Sequence, residues 1–264
     1  MELYLSLSCY GGVSTRQALE IFSAAGVQRV ELAIGVKADP DAPIAIQSFG
    51  EKGMKFRAHH AFVWEAVHRS FNLAGEVDFE DLRRRVNWLG EMGIMDYSVH
   101  PGQYRITEKD ADWGRFLRNL EWLINCCQAA GITLAVETMY PMIDRGKCHF
   151  LGDMQSIDEM RKEMSDLKWV LDLSHLNLWK NWDDRLWVMD QLKGDCLEVH
   201  ISDNDGRRDL HTAIGDRTWW LPFCDRLPQD VPFVLETRLN RRSAVEIRQE
   251  CDRVSRWSSL ICLT

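Results

Sequence analysis

DWGRFLRNLEWLINCCQAAGITLAVET, residues 112–138, contains the structural unit from which the whole chain is built. Asp112 is a typical helix-capping residue, the apolar residues after it recur with helical spacing, and a glycine at position 131 is a typical helix end. The apolar run TLAVET follows at once and is typical of a buried strand. The stretch therefore predicts a helix from Asp112 to Ala130, a glycine turn, and a strand that begins at Thr133.

The same helix–glycine–strand junction recurs at Gly26 and Gly93, and helices and strands alternate along the chain. Eight βα units in about 250 residues are the size of one TIM barrel, whereas an open doubly wound sheet rarely has eight strands in so regular an order. We therefore predict an α/β fold with a single domain over residues 1–264, a (β/α)8 TIM barrel. The strand-like runs are LYLSLS (3–8), RVELAI (29–34), KFRAHH (55–60), DYSVH (96–100), TLAVET (133–138), KWVLDLS (168–174), LEVHIS (197–202) and PFVLET (232–237), and the helical patterns cover 14–25, 41–51, 78–92, 112–130, 153–164, 183–191, 219–226 and 243–257.

The composition is that of an ordinary globular protein, with 45% hydrophobic and 27% charged residues. No apolar run reaches the roughly 20 residues of a membrane span, and the first residues lack the basic segment of a signal peptide. The eight cysteines form no Cys-x-x-Cys pair, which is typical of idle thiols in a reducing cytosol. A net charge of −8 disfavours binding of nucleic acid by bulk electrostatics. We expect a cytoplasmic protein that does not act at membranes.

Side chains that could bind a metal end six consecutive predicted strands, from the third to the eighth. In a TIM barrel the active site lies at the carboxyl ends of the strands. Carboxylates crowded on one rim would repel each other unless a cation lies among them, and imidazole with carboxylate is a ligand set for zinc, manganese or iron. The residues at these ends are His59 and His60, His100, Glu137, Asp172 with His175, His200, and Glu236.

The loop after the seventh predicted strand adds two more polar residues to this set. In LEVHISDNDGRRDLHTAIGD (197–216), strand-like alternation stops at Ser202 and a loop rich in histidine and aspartate follows. Such a loop is either a solvated turn or part of a metal site. Because His200 already lies on the predicted rim, we interpret Asp209 and His211 as further ligands that the loop brings back to it.

These motifs resemble those of the xylose isomerase-like TIM barrels, a superfamily that includes endonuclease IV and many sugar (phosphate) isomerases and epimerases. The resemblance covers nearly the whole chain and is strongest from residue 55 onward. The isomerase branch implies one divalent ion, and the endonuclease IV branch implies three zinc ions, so one to three ions per chain are expected, zinc first and manganese as the alternative. The one-ion set would be Glu137, Asp172, His200 and Glu236; the three-ion set adds His59 in HHAF, His100 in SVHPG, His175 in DLSHLN, and Asp209 with His211 in DLH.

The family pattern also selects between the two adjacent histidines of the third strand. It has an aromatic residue three positions after the ligand, and Phe62 fits this position only if His59 is the ligand. In the endonuclease branch an aromatic residue at the position of Phe62, together with several extended loops, opens the DNA duplex. The resemblance therefore implies His59 as a ligand and Phe62 as a substrate contact.

The three-ion scheme implies hydrolysis of a phosphoester. Glu137 would bridge two ions, a water between them would attack phosphorus, and the third ion would neutralise the leaving oxygen. Arg145, Lys147 or Arg207 could hold another phosphate oxygen.

The one-ion scheme implies isomerisation or epimerisation of a ketose or keto acid. Glu137 and Glu236 would then exchange a carbon-bound proton as base and acid. Trp64, Trp179 and Trp219 could stack on a sugar, although each of them could equally belong to the core.

The loops argue against duplex DNA as the substrate. Proteins that open a duplex need basic surface and an inserted wedge. In this chain the loop GVKADPDAP (35–43) is short and acidic. The segment YPMIDRGKCHFLGD (140–153) stands where the endonuclease IV branch has a glycine- and asparagine-rich segment. We expect hydrolysis of a small phosphorylated or polyhydroxylated substrate. Sugar isomerisation is the alternative, and cleavage at abasic sites in DNA, or binding without catalysis at a vestigial site, is less favoured.

Overall fold

The computed structural model describes residues 2–65, 71–141 and 146–261. Its main sheet is a closed barrel of eight parallel strands that follow one another around the barrel in chain order, with the last paired to the first. The predicted TIM barrel is confirmed, and each predicted strand run overlaps one barrel strand. These are β1 Leu3–Ser6, β2 Arg29–Leu32, β3 Lys55–His59, β4 Asp96–Val99, β6 Thr133–Glu137, β8 Lys168–Asp172, β9 Cys196–Ile201 and β10 Phe233–Leu235.

The helices surround the barrel, and their first turns show why they begin where they do. Ser14 forms a capping box with Gln17, and the carboxylates of Asp78 and Asp153 accept backbone N–H bonds in the first turns of two other helices. The helices are α1 Thr15–Ala24, α2 Ala42–Glu51, α3 Phe79–Glu91, α4 Lys109–Ala129, α5 Met154–Glu163, α6 Leu173–Asn177, α7 Trp182–Leu192 and α8 Ala244–Ile261.

Two helix predictions are corrected by the structure. Helix α4 begins at Lys109, three residues before the predicted cap, and the Asp112 carboxylate instead accepts the backbone N–H of Arg105 at 3.1 Å. The predicted helix at 219–226 is a kinked 3-10 helix, Leu221–Arg226. A proline at its start and non-helical angles at Phe223 prevent a regular α-helix.

In strand β9, polar residues alternate with apolar residues, and both kinds are buried. Val199 and Ile201 are buried, as expected, but Glu198 and His200 on the other face are buried as well. A parallel barrel strand is covered on both faces, by helices outside and by other strands' side chains inside. The polar face of β9 therefore points into the barrel and not toward solvent.

A small sheet that the sequence did not predict lies at the carboxyl end of the barrel. Strands β5 (Gln103–Arg105) and β7 (Lys147–His149) pair antiparallel, so the segment after β4 is tied to the segment after β6. The seven cysteines in the described ranges are free thiols. Among the described residues, no helix combines the length and apolarity that crossing a membrane would require.

Candidate metal centre

The nine side chains predicted as ligands all lie at the carboxyl ends of barrel strands or in the segments that follow them. We call this set the rim. Together the ends of β3, β4, β6, β8, β9 and β10, helix α6 and the loop after β9 supply it. The rim consists of His59, His100, Glu137, Asp172, His175, His200, Asp209, His211 and Glu236.

Donor atoms from β6, β8, β9 and β10 converge at the centre of the rim. His200 Nδ1 lies 3.6 Å from Glu137 Oε1 and 3.5 Å from Glu236 Oε2. Asp172, His200 and Glu236 form a group whose donor atoms all lie within 4.8 Å of one another. A tetrahedral zinc ion with bonds of 2.0–2.1 Å keeps its donors roughly 3.3 Å apart, so these spacings are close to those of a metal site.

A second convergence, the β3/β4 corner, shares Glu137 with the centre. The Nε2 atoms of His59 and His100 lie 2.9 Å apart, and Glu137 Oε2 lies 3.6 Å from the first and 2.9 Å from the second. His59 Nδ1 lies 3.0 Å from Ser98 Oγ. This bond behind the ring leaves the Nε2 lone pair of His59 directed at the corner.

A third convergence, the α6 corner, is built by one carboxylate and the helix that it caps. Asp172 Oδ1 accepts the backbone N–H of His175 at 2.7 Å, and His175 donates its Nδ1–H to the carbonyl of Thr138 at 2.9 Å. His175 Nε2 is thereby directed at Asp209 Oδ2, 3.6 Å away, which also lies 3.1 Å from His211 Nε2.

The loop after β9 turns back on itself and so brings Asp209 and His211 to the rim. Asp203 and Thr212 form a two-bond antiparallel bridge across its base. His211 adopts a left-handed backbone, φ 48°, and its carbonyl accepts the N–H of Arg238 at 2.8 Å. A left-handed conformation in a residue other than glycine needs outside support, and it is typical of functional sites.

Among the described residues, three buried rim atoms have no hydrogen-bond partner of good geometry, although other rim atoms lie as close as 2.9 Å: Glu137 Oε2, Asp172 Oδ2 and His200 Nδ1. Buried polar atoms in proteins are almost always hydrogen-bonded, because an orphaned one costs about 1–3 kcal/mol. Each of the three points into the shared space of the rim. This donor set, carboxylate oxygens with imidazole nitrogens at these spacings, fits a divalent metal ion.

The titration of the rim histidines depends on how many carboxylates face each one. Burial lowers the pKa of His59 to about 4, so its ring is neutral and ready to bind a metal. Burial also opposes protonation of His200, but Glu31 and Glu236 outweigh it and raise the pKa well above 6.5. The same balance, with Asp172 as the main carboxylate, raises the pKa of His175. Protons on rim histidines such as these thus balance the carboxylates wherever no metal does so.

A layer of charged side chains that the sequence analysis missed lies directly beneath the rim. His200 Nε2 lies 3.2 Å from Glu31 Oε2 and 3.3 Å from Glu198 Oε1, and both carboxylates are fully buried. Arg57 forms an ion pair with Glu198 and another, at 3.2 Å, with Asp96. We call Glu31, Arg57, Asp96 and Glu198 the charge layer. Its contact with Nε2 orients Nδ1 of His200 toward the rim.

His59 and His60 have different surroundings. His59 belongs to the β3/β4 corner, whereas His60 stacks on the ring of His100 with centroids 4.4 Å apart and planes 10° apart. His60 Nδ1 also accepts the backbone N–H of His100 at 3.3 Å. His60 therefore braces a rim residue from behind.

Three aromatic residues predicted to contact substrate lie in the core. Phe62 is fully buried against Trp88. Trp64 is 5% exposed and also packs on Trp88, and Trp179 is 3% exposed with its indole N–H donated to the carbonyl of Met139. Phe62 and Trp64 pack against helix α3 and Trp179 against the segment after β6, so burial leaves none of the three rings open to a substrate.

The other predicted substrate contacts differ in position. Trp219 is half-buried and donates its indole N–H to the carbonyl of Leu173, which follows Asp172. Arg207 is exposed on the loop after β9, and Lys147 is exposed on β7 beside a cavity next to His100. Arg145 lies outside the described residues.

The sequence profile of the xylose isomerase-like TIM barrel family matches residues 19–256. The chain belongs to this family. No curated protein matches its sequence. The predicted resemblance is thus confirmed at the level of the family.

Solved structures with the same fold are many, at low sequence identity. A D-tagatose 3-epimerase-like protein superposes with a TM-score of 0.76 at 17% identity over 99% of this chain and 98% of its own. D-psicose 3-epimerase from Clostridium cellulolyticum, solved with D-tagatose, gives 0.72 at 13% identity over 99% of both chains. A Thermus thermophilus protein whose crystals were soaked with ZnCl2 gives 0.65 at 18% identity over 98% of both chains.

Proposed function

We propose that this protein is a metal-dependent enzyme that isomerises or epimerises a ketose or keto acid. The observation that carries the proposal is a pair of buried carboxylates, Glu137 and Glu236, each within 3.6 Å of the same nitrogen, His200 Nδ1. Several structures with the same fold are described as sugar 3-epimerases. That description favours this reaction over the phosphoester hydrolysis that the ligand count alone predicts.

The residues fit a proton transfer between two faces of a substrate carbon. A divalent ion held by Glu137, Asp172, His200 and Glu236 would bind neighbouring hydroxyl and carbonyl oxygens and acidify the adjacent C–H bond. One glutamate, as carboxylate, then removes that proton, and the other, as carboxylic acid, delivers a proton to the opposite face. In the reverse direction the two side chains exchange roles.

The electrostatics of the two glutamates suit the role of base. Burial would raise the pKa of Glu236, but His200 outweighs it and lowers the pKa to about 2. Burial acts in the same direction on Glu137, and His100 with His175 again outweighs it, so its pKa falls well below 4.5. Both side chains are therefore ionised at neutral pH, so either can accept the proton from carbon, and the one that acts as the acid first takes up a proton from solvent.

Hydrolysis of a phosphoester is the second candidate, and one observation favours it. The β3/β4 corner and the α6 corner each bring their own imidazole nitrogens to a carboxylate oxygen, at 2.9–3.6 Å and 3.1–3.6 Å. Up to three ions could be held in this way. Two ions that share Glu137 would be the arrangement expected to activate water for attack on phosphorus.

Deuterium exchange separates the two reactions. The protein, purified without chelator and supplied with zinc or manganese, is incubated in D2O with a panel of ketoses, with bis(p-nitrophenyl) phosphate, and with a duplex that contains one abasic site. We expect metal-dependent deuterium incorporation into a ketose with one ion per chain, lost in Glu137→Gln and Glu236→Gln. Phosphodiester or DNA cleavage at three ions per chain, without exchange, would assign the protein to hydrolysis.

A further inference from the structure

Strand β1 continues at its carboxyl end into a one-turn 3-10 helix, Leu7–Cys9, whose middle residue contacts the rim. Leu7 and Cys9 are buried, whereas Ser8 is half-buried. The hydroxyl oxygen of Ser8 lies 3.3 Å from Glu236 Oε1. Ser8 is thus a polar neighbour of Glu236 that belongs neither to the nine rim residues nor to the proposed pair of proton-transfer groups.

The two carboxylate oxygens of Glu236 face different groups. Oε2 lies 3.5 Å from His200 Nδ1, at the centre of the rim, and 3.9 Å from His211 Nδ1. Oε1 is the oxygen that the Ser8 hydroxyl meets. One oxygen of this carboxylate is therefore on the side of the metal-binding nitrogens, and the other is held by a hydroxyl.

The single hydroxyl proton of Ser8 has two oxygens within reach. Besides Glu236 Oε1, Ser8 Oγ lies 2.8 Å from Ser6 Oγ, which also accepts the backbone N–H of Ser8 at 3.3 Å. Two hydroxyls can share their contact with either one as the donor, whereas a carboxylate can only accept. Since a charged acceptor forms the stronger bond, the proton of Ser8 is directed to Glu236.

The backbone around Ser8 is bonded to strand β10 on both sides of Glu236. Cys9 donates its Sγ–H to the carbonyl of Leu235 at 3.0 Å. The carbonyl of Cys9 accepts the backbone N–H of Leu239 at 2.8 Å. These two bonds fix the distance between the 3-10 helix and the end of β10, and with it the contact of Ser8 with Glu236.

The segment after β2 packs tightly on the same 3-10 helix. A Cβ at Gly35 would come within 2.6 Å of the Leu7 carbonyl oxygen and 2.8 Å of Ser8 Cα. Only glycine allows so close an approach of two backbones. Ser8 is therefore held from two neighbouring segments before any ligand arrives.

We infer that Ser8 is a positioning residue that holds Glu236 Oε1, so that Oε2 alone is presented to the metal ion. The inference rests on the proposed function, in which Glu236 both binds the ion and exchanges a proton with carbon. A carboxylate oxygen has two lone-pair directions, so Oε1 can accept the Ser8 proton and still accept one from the substrate. Ser8 thereby divides the two tasks of Glu236 between its two oxygens.

Loss of the Ser8 hydroxyl should have a distinctive consequence. Glutamate can bind a metal ion through one oxygen or through both. Without Ser8, the carboxylate is free to turn and bind through both, and the oxygen that must take the proton is then held by the ion. Proton transfer should slow while metal binding is retained, a combination that a general structural defect would not produce.

The first test measures deuterium exchange into a ketose by the metal-loaded protein. We expect Ser8→Ala to lower kcat by about 10–100-fold with little change in KM, the magnitude typical of a misplaced reacting group. Ser8→Thr keeps the hydroxyl and should recover most of the wild-type rate. Ser23→Ala, exposed on α1, is the matched control and should leave both constants unchanged.

The second test needs no substrate. Cobalt(II) is bound in place of zinc, and its visible d–d absorption, which reports coordination geometry, weakens as the coordination number rises. We expect weaker bands in Ser8→Ala, because Glu236 then binds through both oxygens, and a wild-type spectrum in Ser8→Thr. Cobalt affinity, measured by chelator competition, should fall in neither variant.

Either measurement can overturn the inference. A wild-type exchange rate or a wild-type cobalt spectrum in Ser8→Ala would do so. So would a Ser8→Thr protein as defective as Ser8→Ala, since packing and not the hydroxyl would then account for the loss. If the wild-type protein exchanges deuterium into no ketose, the proposed reaction fails, and the cobalt spectra alone decide the role of Ser8.

Discussion

The rim and the charge layer beneath it both bury carboxylates, but they balance the charge by different means. In the charge layer a permanent cation, Arg57, pairs with Glu198 and Asp96. At the rim four carboxylates face five histidines, and among the described residues no lysine or arginine forms an ion pair with those carboxylates. The protein therefore supplies its own positive charge in the lower layer, and in the upper layer it leaves that role to protons or a metal ion.

The largest effect is expected at Glu137, which belongs to the centre and to the β3/β4 corner and whose Oε1 also lies 3.3 Å from His175 Nδ1 of the α6 corner. Glu137→Gln keeps the volume but removes the charge, so both proton transfer and metal binding lose a partner. We expect a fall of about 10³-fold or more in the rate of deuterium exchange, the magnitude typical of a lost acid–base group, together with reduced metal content by elemental analysis. Glu121→Gln, exposed on α4, is the matched control. Retention of both activity and metal would refute the role of Glu137.

The charge layer should respond to mutation whether or not metal is present. Arg57→Met strands the buried Glu198 carboxylate, and loss of one partner of a buried ion pair costs about 3–5 kcal/mol. We expect that decrease in the free energy of unfolding, measured by urea denaturation, with chelator and with added zinc alike. The exposed pair of Arg29 with Glu2 provides the control, since Arg29→Met should cost at most about 1 kcal/mol. A loss that zinc abolishes would mean that the two layers are not separate.

The rim should bind metal more tightly as pH rises. Burial opposes protonation of His211, but the hydrogen bond that its ring donates to Asp209 outweighs it and raises the pKa to about 9. Burial raises the pKa of Asp172 to about 7. Both groups must lose their proton to bind a metal, so below these pKa values binding releases protons. We expect apparent zinc affinity, measured by chelator competition, to rise between pH 6 and pH 9, by up to about tenfold per pH unit for each proton displaced. A flat profile would contradict this account.

The parts of the fold and of the site differ in how well the sequence predicts them. The barrel was predictable because each helix–glycine–strand junction is a local pattern, and the rim followed from the rule that strand ends meet at one edge. The small sheet was not, because its three-residue strands at Gln103 and Lys147 pair across more than 40 positions and have no pattern of their own. Trp64 and Trp179 were assigned to the substrate from loop position, and Phe62 from the family pattern, and neither reveals where a loop folds.

Glu31 and Glu198 were missed for a different reason. A glutamate within a strand such as RVEL is usually a solvent-facing residue of an alternating pattern. Only closure of the barrel makes that face an interior, where a carboxylate meets His200. One signal could have revealed them: each is a charged residue inside a strand that the barrel fold covers on both faces, where a charge is not expected.

Within the charge layer, Glu31 differs from Glu198 in the side chain that balances its charge. Glu198 is neutralised by Arg57, whereas the only ion-pair partner of Glu31 among the described residues is His200, at 3.2 Å. We therefore expect Glu31 to act as a positioning residue that holds the Nε2–H of His200 and strengthens Nδ1 as a ligand. Loss of a hydrogen-bond partner behind a metal ligand typically costs 10–100-fold in metal affinity.

Glu31→Gln tests this role through zinc affinity and the free energy of unfolding. Loss of a purely structural residue would lower both. By chelator competition we expect zinc affinity to fall about 10–100-fold. In the metal-free protein the free energy of unfolding should change little, because Glu198, Glu137 and Glu236 remain as carboxylate neighbours of His200. Glu20→Gln, exposed on α1, should change neither quantity. If Glu31→Gln destabilises the metal-free protein and leaves zinc affinity intact, Glu31 belongs with Glu198 as part of the barrel's fixed ion pairs, and the metal depends on the rim alone.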